Sequence, residues 1–203
     1  MDKNYSLVIA TKNKHKLREI GEILGNLPLQ IRAMDEVGLC NYDLEIVEDG
    51  LTFEDNSMKK AVEVMKVSGY IAIADDSGLE VEALGNQPGV FSARFSGENA
   101  TDKKNNEKLL HMLADVPMEK RNARFVSVIS VAFPDGRRFH VRGECKGIIG
   151  FEERGEFGFG YDPLFIVPKY NKTFGELSSE IKNKISHRAK ALEILKDELS
   201  KYL

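Results

Sequence analysis

Thr52–Gly78, TFEDNSMKKAVEVMKVSGYIAIADDSG, decides the fold class. Thr52 offers an N-cap oxygen, Glu54 and Asp55 stand in the first turn where the helix dipole favours acids, and Gly69 supplies a stop after Ser68. The spacing predicts a helix over 52–68. Tyr70–Ala74 follows at once as a short uncharged apolar run, the pattern of a buried strand. It leads into Asp75-Asp76-Ser77-Gly78, expected as a loop, and then a second apolar run at Leu79–Leu84.

The same alternation extends outward. Tyr5–Ala10 is β-prone, and from Leu17 the apolar positions Leu17, Ile20, Ile23 and Leu24 recur at helical spacing. Gly25, Asn26 and Pro28 end that helix, and Leu29–Ala33 reads as another strand. Downstream, Gln87–Asn99 reads as a loop and Thr101 as the cap of a helix reaching Ala114. Arg124–Phe133 and Arg137–Arg142 flank a Pro-Asp-Gly turn, a hairpin signal, with Glu144–Phe151 as a third antiparallel strand. Ala189, Leu192, Leu195 and Leu199 share one face of a closing amphipathic helix. The fold expected is α/β, with a mixed, elongated sheet flanked by helices and two lobes around a central substrate cleft.

The 203 residues, 42% of them hydrophobic, suffice for one well-buried core, so a single domain over 1–203 is expected. Ser6–Ala10, Tyr70–Ala74 and Phe125–Pro134 fall far short of the roughly 20 apolar residues of a bilayer span, which argues against a membrane partner. The first apolar run is too short for a signal-peptide core, and a cytoplasmic location is expected. Cys40 and Cys145 lie far apart in sequence and read as reduced thiols. A net charge of −3 argues against a general nucleic-acid-binding surface, which would need a basic stripe on a basic domain.

Positive charge is local, and its location is informative. Thr11-Lys12-Asn13-Lys14-His15-Lys16 puts cations on a turn into a helix, where the dipole disfavours them and an anion would compensate. Lysine ammoniums, backbone N–H groups, a hydroxyl and an amide together make a polyphosphate cradle, although alone the segment reads equally as a solvated basic loop. Asp75-Asp76 brings hard oxygen ligands of the kind that suits Mg²⁺, or else a capped turn. Glu45, Glu48 and Asp49 form an acidic loop from which one residue could complete a metal site. Phe157–Pro163, FGFGYDP, interleaves glycines with aromatic rings, giving either a stacking face for a purine or a tight aromatic corner. Ser186-His187-Arg188 again sets basic groups at a helix start. Together these are the parts of a nucleotide hydrolase.

The order ATKNKHK, TFEDN, ADDSGLEVEALGNQPGVFSARFSG, GFGYDPLF and SHRAKAL resembles the inosine triphosphate pyrophosphatase family over nearly the whole chain. The resemblance implies hydrolysis of ITP, dITP and XTP to the monophosphate and pyrophosphate, with Mg²⁺ as cofactor, a purine nucleoside triphosphate as partner, and a homodimer. It implies that Thr11, Lys12, Asn13, Lys14, His15 and Lys16 bind the triphosphate, and that Asp76 is proton acceptor and metal ligand. Ser77 assists binding; Phe159, Gly160, Tyr161, Asp162, Lys182, His187 and Arg188 contact base and substrate. Glu45 and Glu48 both remain open as the second metal carboxylate. Lys12 stands where family members commonly carry glycine. A nucleotide sensor without turnover, or a pyrophosphatase for other modified nucleotides, would use the same parts.

Overall fold

The computed structural model of the chain describes residues 5–25, 29–39 and 46–202. Strand β1 (Tyr5–Ile9) pairs in parallel with β2 (Leu29–Ala33), Leu7 opposite Ile31, and with β3 (Ile71–Val81), Val8 opposite Ala72. Strand β4 (Gln87–Pro88) folds back antiparallel on β3. Strands β5 (Asn122–Ala132) and β6 (Arg138–Ile149) are joined by the expected tight turn, in which the Phe133 N–H donates to the Arg137 carbonyl at 2.9 Å. Short β7 (Phe165–Val167) and β8 (Lys172–Thr173) follow as antiparallel neighbours. The described strands run β2-β1-β3-β5-β6-β7-β8, a mixed sheet, with helices α1 (Lys14–Leu24), α2 (Phe53–Ser68), α3 (Asp102–Met112), α4 (Ser179–Ile185) and α5 (His187–Leu199).

The chain divides into two compact units, the first made of Met1–Asp76, Ser127–Gly143 and Lys190–Leu203, the second of Ser77–Val126 and Glu144–Ala189. In the first, the two-residue period of a strand sorts the core. Leu7, Ile9, Ile71 and Ile73 pack with Ile20 and Leu24 of α1 and Leu192, Leu195 and Leu199 of α5. Their neighbours Val8, Ala10, Ala72 and Ala74 face the other way, onto Ala61 and Val64 of α2. Small alanines on that face let the helix approach closely. Each buried Leu, Ile or Val contributes about 1.5–3 kcal/mol over exposure, so both faces of this sheet are committed.

The second unit has its own core of Leu79, Val81, Leu109, Leu113, Phe125, Phe165 and Phe174. The Phe125 and Phe165 rings lie 4.6 Å apart, and Phe165 and Phe174 5.2 Å. The fully buried Arg121 donates to the carbonyls of Leu113, Val116 and Gly150, closing polar groups that burial would otherwise leave unpaired.

Four expectations need correction. The DDSG segment is no loop: β3 passes through it without interruption and absorbs the Leu79 run. The carboxylates can stay in a strand because adjacent residues point to opposite faces and each finds polar partners. The third hairpin strand expected from Glu144 is the continuation of β6. The Gln87–Asn99 stretch holds β4 and a 3₁₀ helix at Gly89–Arg94. Helix α1 starts at Lys14, so Lys14–Lys16 form its first turn, while Thr11–Asn13 lead into it.

Candidate active site

In the first unit, Asn13 is the N-cap of α1, and its Oδ1 accepts from the N–H groups of His15 (2.9 Å) and Lys16 (3.2 Å). Thr11 Oγ1 accepts from the Asn13 N–H at 3.1 Å. Lys12, Lys14 and His15 are exposed, and no acid stands in this first turn. Lys16 turns inward: its Nζ lies 2.9 Å from Asp75 Oδ2. The Asp75 carboxylate also accepts from Ser127 Oγ at 2.5 Å, so it serves to hold Lys16 rather than to react.

Asp76, the next residue of β3, is only 6% exposed. Its Oδ1 lies 3.5 Å from Lys60 Nζ, while Oδ2 is buried with no hydrogen-bond partner among the described residues. Burial pushes the Asp76 carboxyl above its usual value; Lys60 and Lys16 act against that shift, and Glu48 and Asp75 add to it. The same Lys60 ammonium lies 3.1 Å from Glu48 Oε1 and donates to the Asp75 carbonyl at 3.2 Å. Glu48 and Asp76 therefore share one cation. Glu45 lies outside the described residues.

Sequence reading missed Lys60. A signal was present: Phe53, Asn56, Lys60 and Val64 recur at i, i+3, i+7 and i+11, which puts a lysine on the buried stripe of α2. Ser127, hidden in an apolar strand, gave no such signal.

In the second unit, Ser77 Oγ accepts from Arg188 Nη2 at 3.0 Å, bringing together two residues far apart in sequence. Lys182, on α4, lies 2.6 Å from Asp162 Oδ2, and both side chains are almost fully buried. That same oxygen accepts from the Phe159 N–H at 2.9 Å. The Lys182 ammonium stands 4.7 Å from the Phe159 ring centroid and the Arg188 guanidinium 5.9 Å, so the half-buried ring is flanked by two cations. Gly158 lies at φ +81°, and a Cβ there would collide with Asp162 Oδ2; this is why glycine precedes the ring.

Two of the expected contact residues are turned into the protein. The Tyr161 ring joins the apolar core and its hydroxyl donates to the Ser92 carbonyl at 2.8 Å, while burial raises its pKa. The His187 ring stacks on Phe125 at 4.8 Å. The Gly160 backbone is held by α3, through Asp102 and Asn106.

Comparison with known proteins places these features in a lineage. The family model described as the Ham1 family matches residues 7–198. The chain is 51% identical over 187 residues to a dITP/XTP pyrophosphatase of Desulforamulus reducens, covering 92% of each. It is 50% identical over 193 residues to a dITP/XTP pyrophosphatase of Geobacter sulfurreducens, covering 95% of this chain and 96% of that one. The Ham1 protein of Staphylococcus aureus superposes with a TM-score of 0.86 at 40% identity, over 98% of this chain and all (100%) of the other. That of Coxiella burnetii gives 0.87 at 38%, over 97% and 99%. The chain belongs to the Ham1 family.

Proposed function

We propose that this chain hydrolyses dITP, XTP and ITP to the nucleoside monophosphate and pyrophosphate, keeping deaminated purines out of the nucleotide pool. The names of relatives near 50% identity over almost the full chain support the reaction class. The observation that carries the chemistry is Asp76: a buried carboxylate whose Oδ2 has no hydrogen-bond partner among the described residues, beside two lysines held in place.

Asp76 accepts a proton from the attacking water. The new bond forms between that water oxygen and the α-phosphorus; the bond from the α-phosphorus to the bridging oxygen breaks, and pyrophosphate departs. Lys16, fixed by Asp75, opposes the charge growing on the leaving group, and exposed Lys12 and Lys14 draw the triphosphate in. In the second unit, Phe159 offers a face to the purine, while Arg188 and Lys182 supply donors that favour a 6-oxo group over the 6-amino group of adenine.

The donor set fits Mg²⁺. Among the described residues no three His, Cys, Asp or Glu gather into a cage. Mg²⁺ needs only one or two carboxylates plus substrate phosphates, and Asp76 Oδ2 with Glu48 would hold it. Bound, it would offset phosphate charge and make water more acidic. We further propose a homodimer, on the resemblance, and a cytoplasmic location, on the reduced-thiol reading.

Pyrophosphate release from ITP, dITP, XTP, GTP and ATP, with and without Mg²⁺, is the deciding assay. Fast release from ITP, dITP and XTP and slow release from ATP, whose 6-amino group sets donor against donor, is expected. Binding without release would make the protein a sensor, and equal turnover of all five would sink the selectivity.

A further inference from the structure

The aromatic loop Phe157–Asp162 carries two glycines in the left-handed region, Gly158 at φ +81° and Gly160 at φ +62°. Such a segment has much conformational freedom to lose and keeps one shape only if outside contacts hold it. Helix α3 provides them from one face. Asp102 and Asn106 are four residues apart and so lie one above the other on the helix. The Gly160 N–H donates to Asp102 Oδ2 at 2.7 Å, and Asn106 Nδ2 donates to the Gly160 carbonyl at 3.1 Å.

The two contacts grip the peptide planes on either side of Gly160, which together define its backbone angles. The first of those planes carries the carbonyl of Phe159. With the Phe159 N–H given to Asp162 Oδ2 at 2.9 Å, the backbone of the stacking residue is held on both sides. The gripping helix is itself anchored: Thr101 caps it, and Asn105 Oδ1 accepts from the Ser96 N–H at 2.8 Å while its Nδ2 donates to the carbonyls of Ser92 and Ala93. Asn106 is buried, and its amide also donates to Glu153 Oε1 at 2.6 Å.

We propose that Asp102 and Asn106 are positioning residues for base selection: they hold Phe159 in place against Lys182 and Arg188 without touching substrate. This rests on the pyrophosphatase reading above. Removing the clamp should loosen the ring, weakening nucleotide binding and discrimination more than the chemical step, which belongs to residues of the first unit.

Asp102 is exposed, so its variants should fold. The test measures kcat and KM for ITP and ATP in wild type, Asp102→Ala and Asp102→Asn, with hydrogen exchange of the loop amides. For Asp102→Ala, KM for ITP should rise about five- to tenfold with kcat nearly unchanged, and the ITP-to-ATP ratio of kcat/KM should fall comparably. Exchange at residues 157–162 should quicken. Asp102→Asn, which keeps an acceptor oxygen, should recover most of the loss. Unchanged KM and ratio in Asp102→Ala, or an Asn variant as impaired as the Ala one, would overturn the positioning role alone. A wild-type protein that releases no pyrophosphate from ITP would overturn both this and the pyrophosphatase reading.

Discussion

Lys60 Nζ stands 3.5 Å from Asp76 Oδ1, and the lysine is shared with Glu48 at 3.1 Å. One ammonium thus restrains two carboxylates that would otherwise repel. Lys60→Met should remove the contact that fixes both carboxylates and displace Asp76 from the water it must deprotonate. A fall of roughly ten- to a hundredfold in kcat/KM for ITP is expected, the scale of one lost charged hydrogen bond. Steady-state kinetics at saturating Mg²⁺ check it; a variant as fast as wild type would reduce Lys60 to a structural ion pair.

Asp76 makes a prediction that runs in opposite directions for stability and activity. Burial raises its folded pKa above the ordinary 3.8. The folded state therefore prefers the proton; the associated stability is fully present below 3.8 and is lost as pH rises through the raised value. Asp76→Asn cannot ionise and escapes that loss. In metal-free protein its Tm should match wild type in acid and exceed it at neutral pH, by about 2–4 °C for each kcal/mol relieved. Its turnover should vanish. Thermal melts in chelator across pH test the first arm, and a wild type that melts higher at neutral pH would refute it.

The buried pair Lys182–Asp162, 2.6 Å apart, should behave as a unit. Lys182→Met strands a buried carboxylate and should cost about 3–5 kcal/mol. Adding Asp162→Asn removes the stranded charge yet keeps an acceptor for the Phe159 N–H, so the double variant should regain much of the loss. Urea unfolding of the two singles and the double gives the coupling energy; additive losses would mean that the contact carries little.

What the sequence disclosed and what it hid divide along a physical line. Elements set by local signals were legible: Thr52, Glu54 and Gly69 bound α2 as expected, and the Pro-Asp-Gly turn joins β5 to β6. Asp76 and the Thr11–Lys16 segment stood out because charge at the end of an apolar run, or cations at a helix start, break a local rule. The short β7 and β8 and the seven-residue α4 have too few residues to show a period. The continuity of β3 through Asp75 was hidden for another reason: it depends on Ser127 and Lys16, distant partners that no local window contains. The burial of Tyr161 is likewise settled by the Ser92 carbonyl, across 69 positions.

Gly158 offers a purely steric test. An alanine Cβ would collide with Asp162 Oδ2, on a backbone already at φ +81°. Gly158→Ala should force the Asp162 carboxylate away from Lys182 and the Phe159 N–H. The loss in kcat/KM for ITP should exceed tenfold, about the effect of breaking one charged contact, with the larger part in KM. Substrate titrations decide it, and an unchanged KM would show that the loop can move aside without consequence.

Selectivity should reside in Arg188, whose Nη2 donates to Ser77 Oγ at 3.0 Å and whose guanidinium lies 5.9 Å from the Phe159 centroid. The serine holds one edge of the guanidinium fork, orienting its other donors relative to the ring. A purine stacked on Phe159 with a 6-oxo group can accept from such a donor, whereas the 6-amino group of adenine would set donor against donor. Arg188→Ala should therefore cut kcat/KM for ITP and XTP by roughly ten- to a hundredfold and that for ATP far less. Ser77→Ala should produce a smaller loss with the same substrate ranking, and the double variant should fall little below Arg188→Ala, because the serine acts through the arginine. The measurement is kcat/KM for ITP, XTP, GTP and ATP on all four proteins. If every substrate falls by the same factor, Arg188 acts on the shared phosphates and the base-recognition role is wrong.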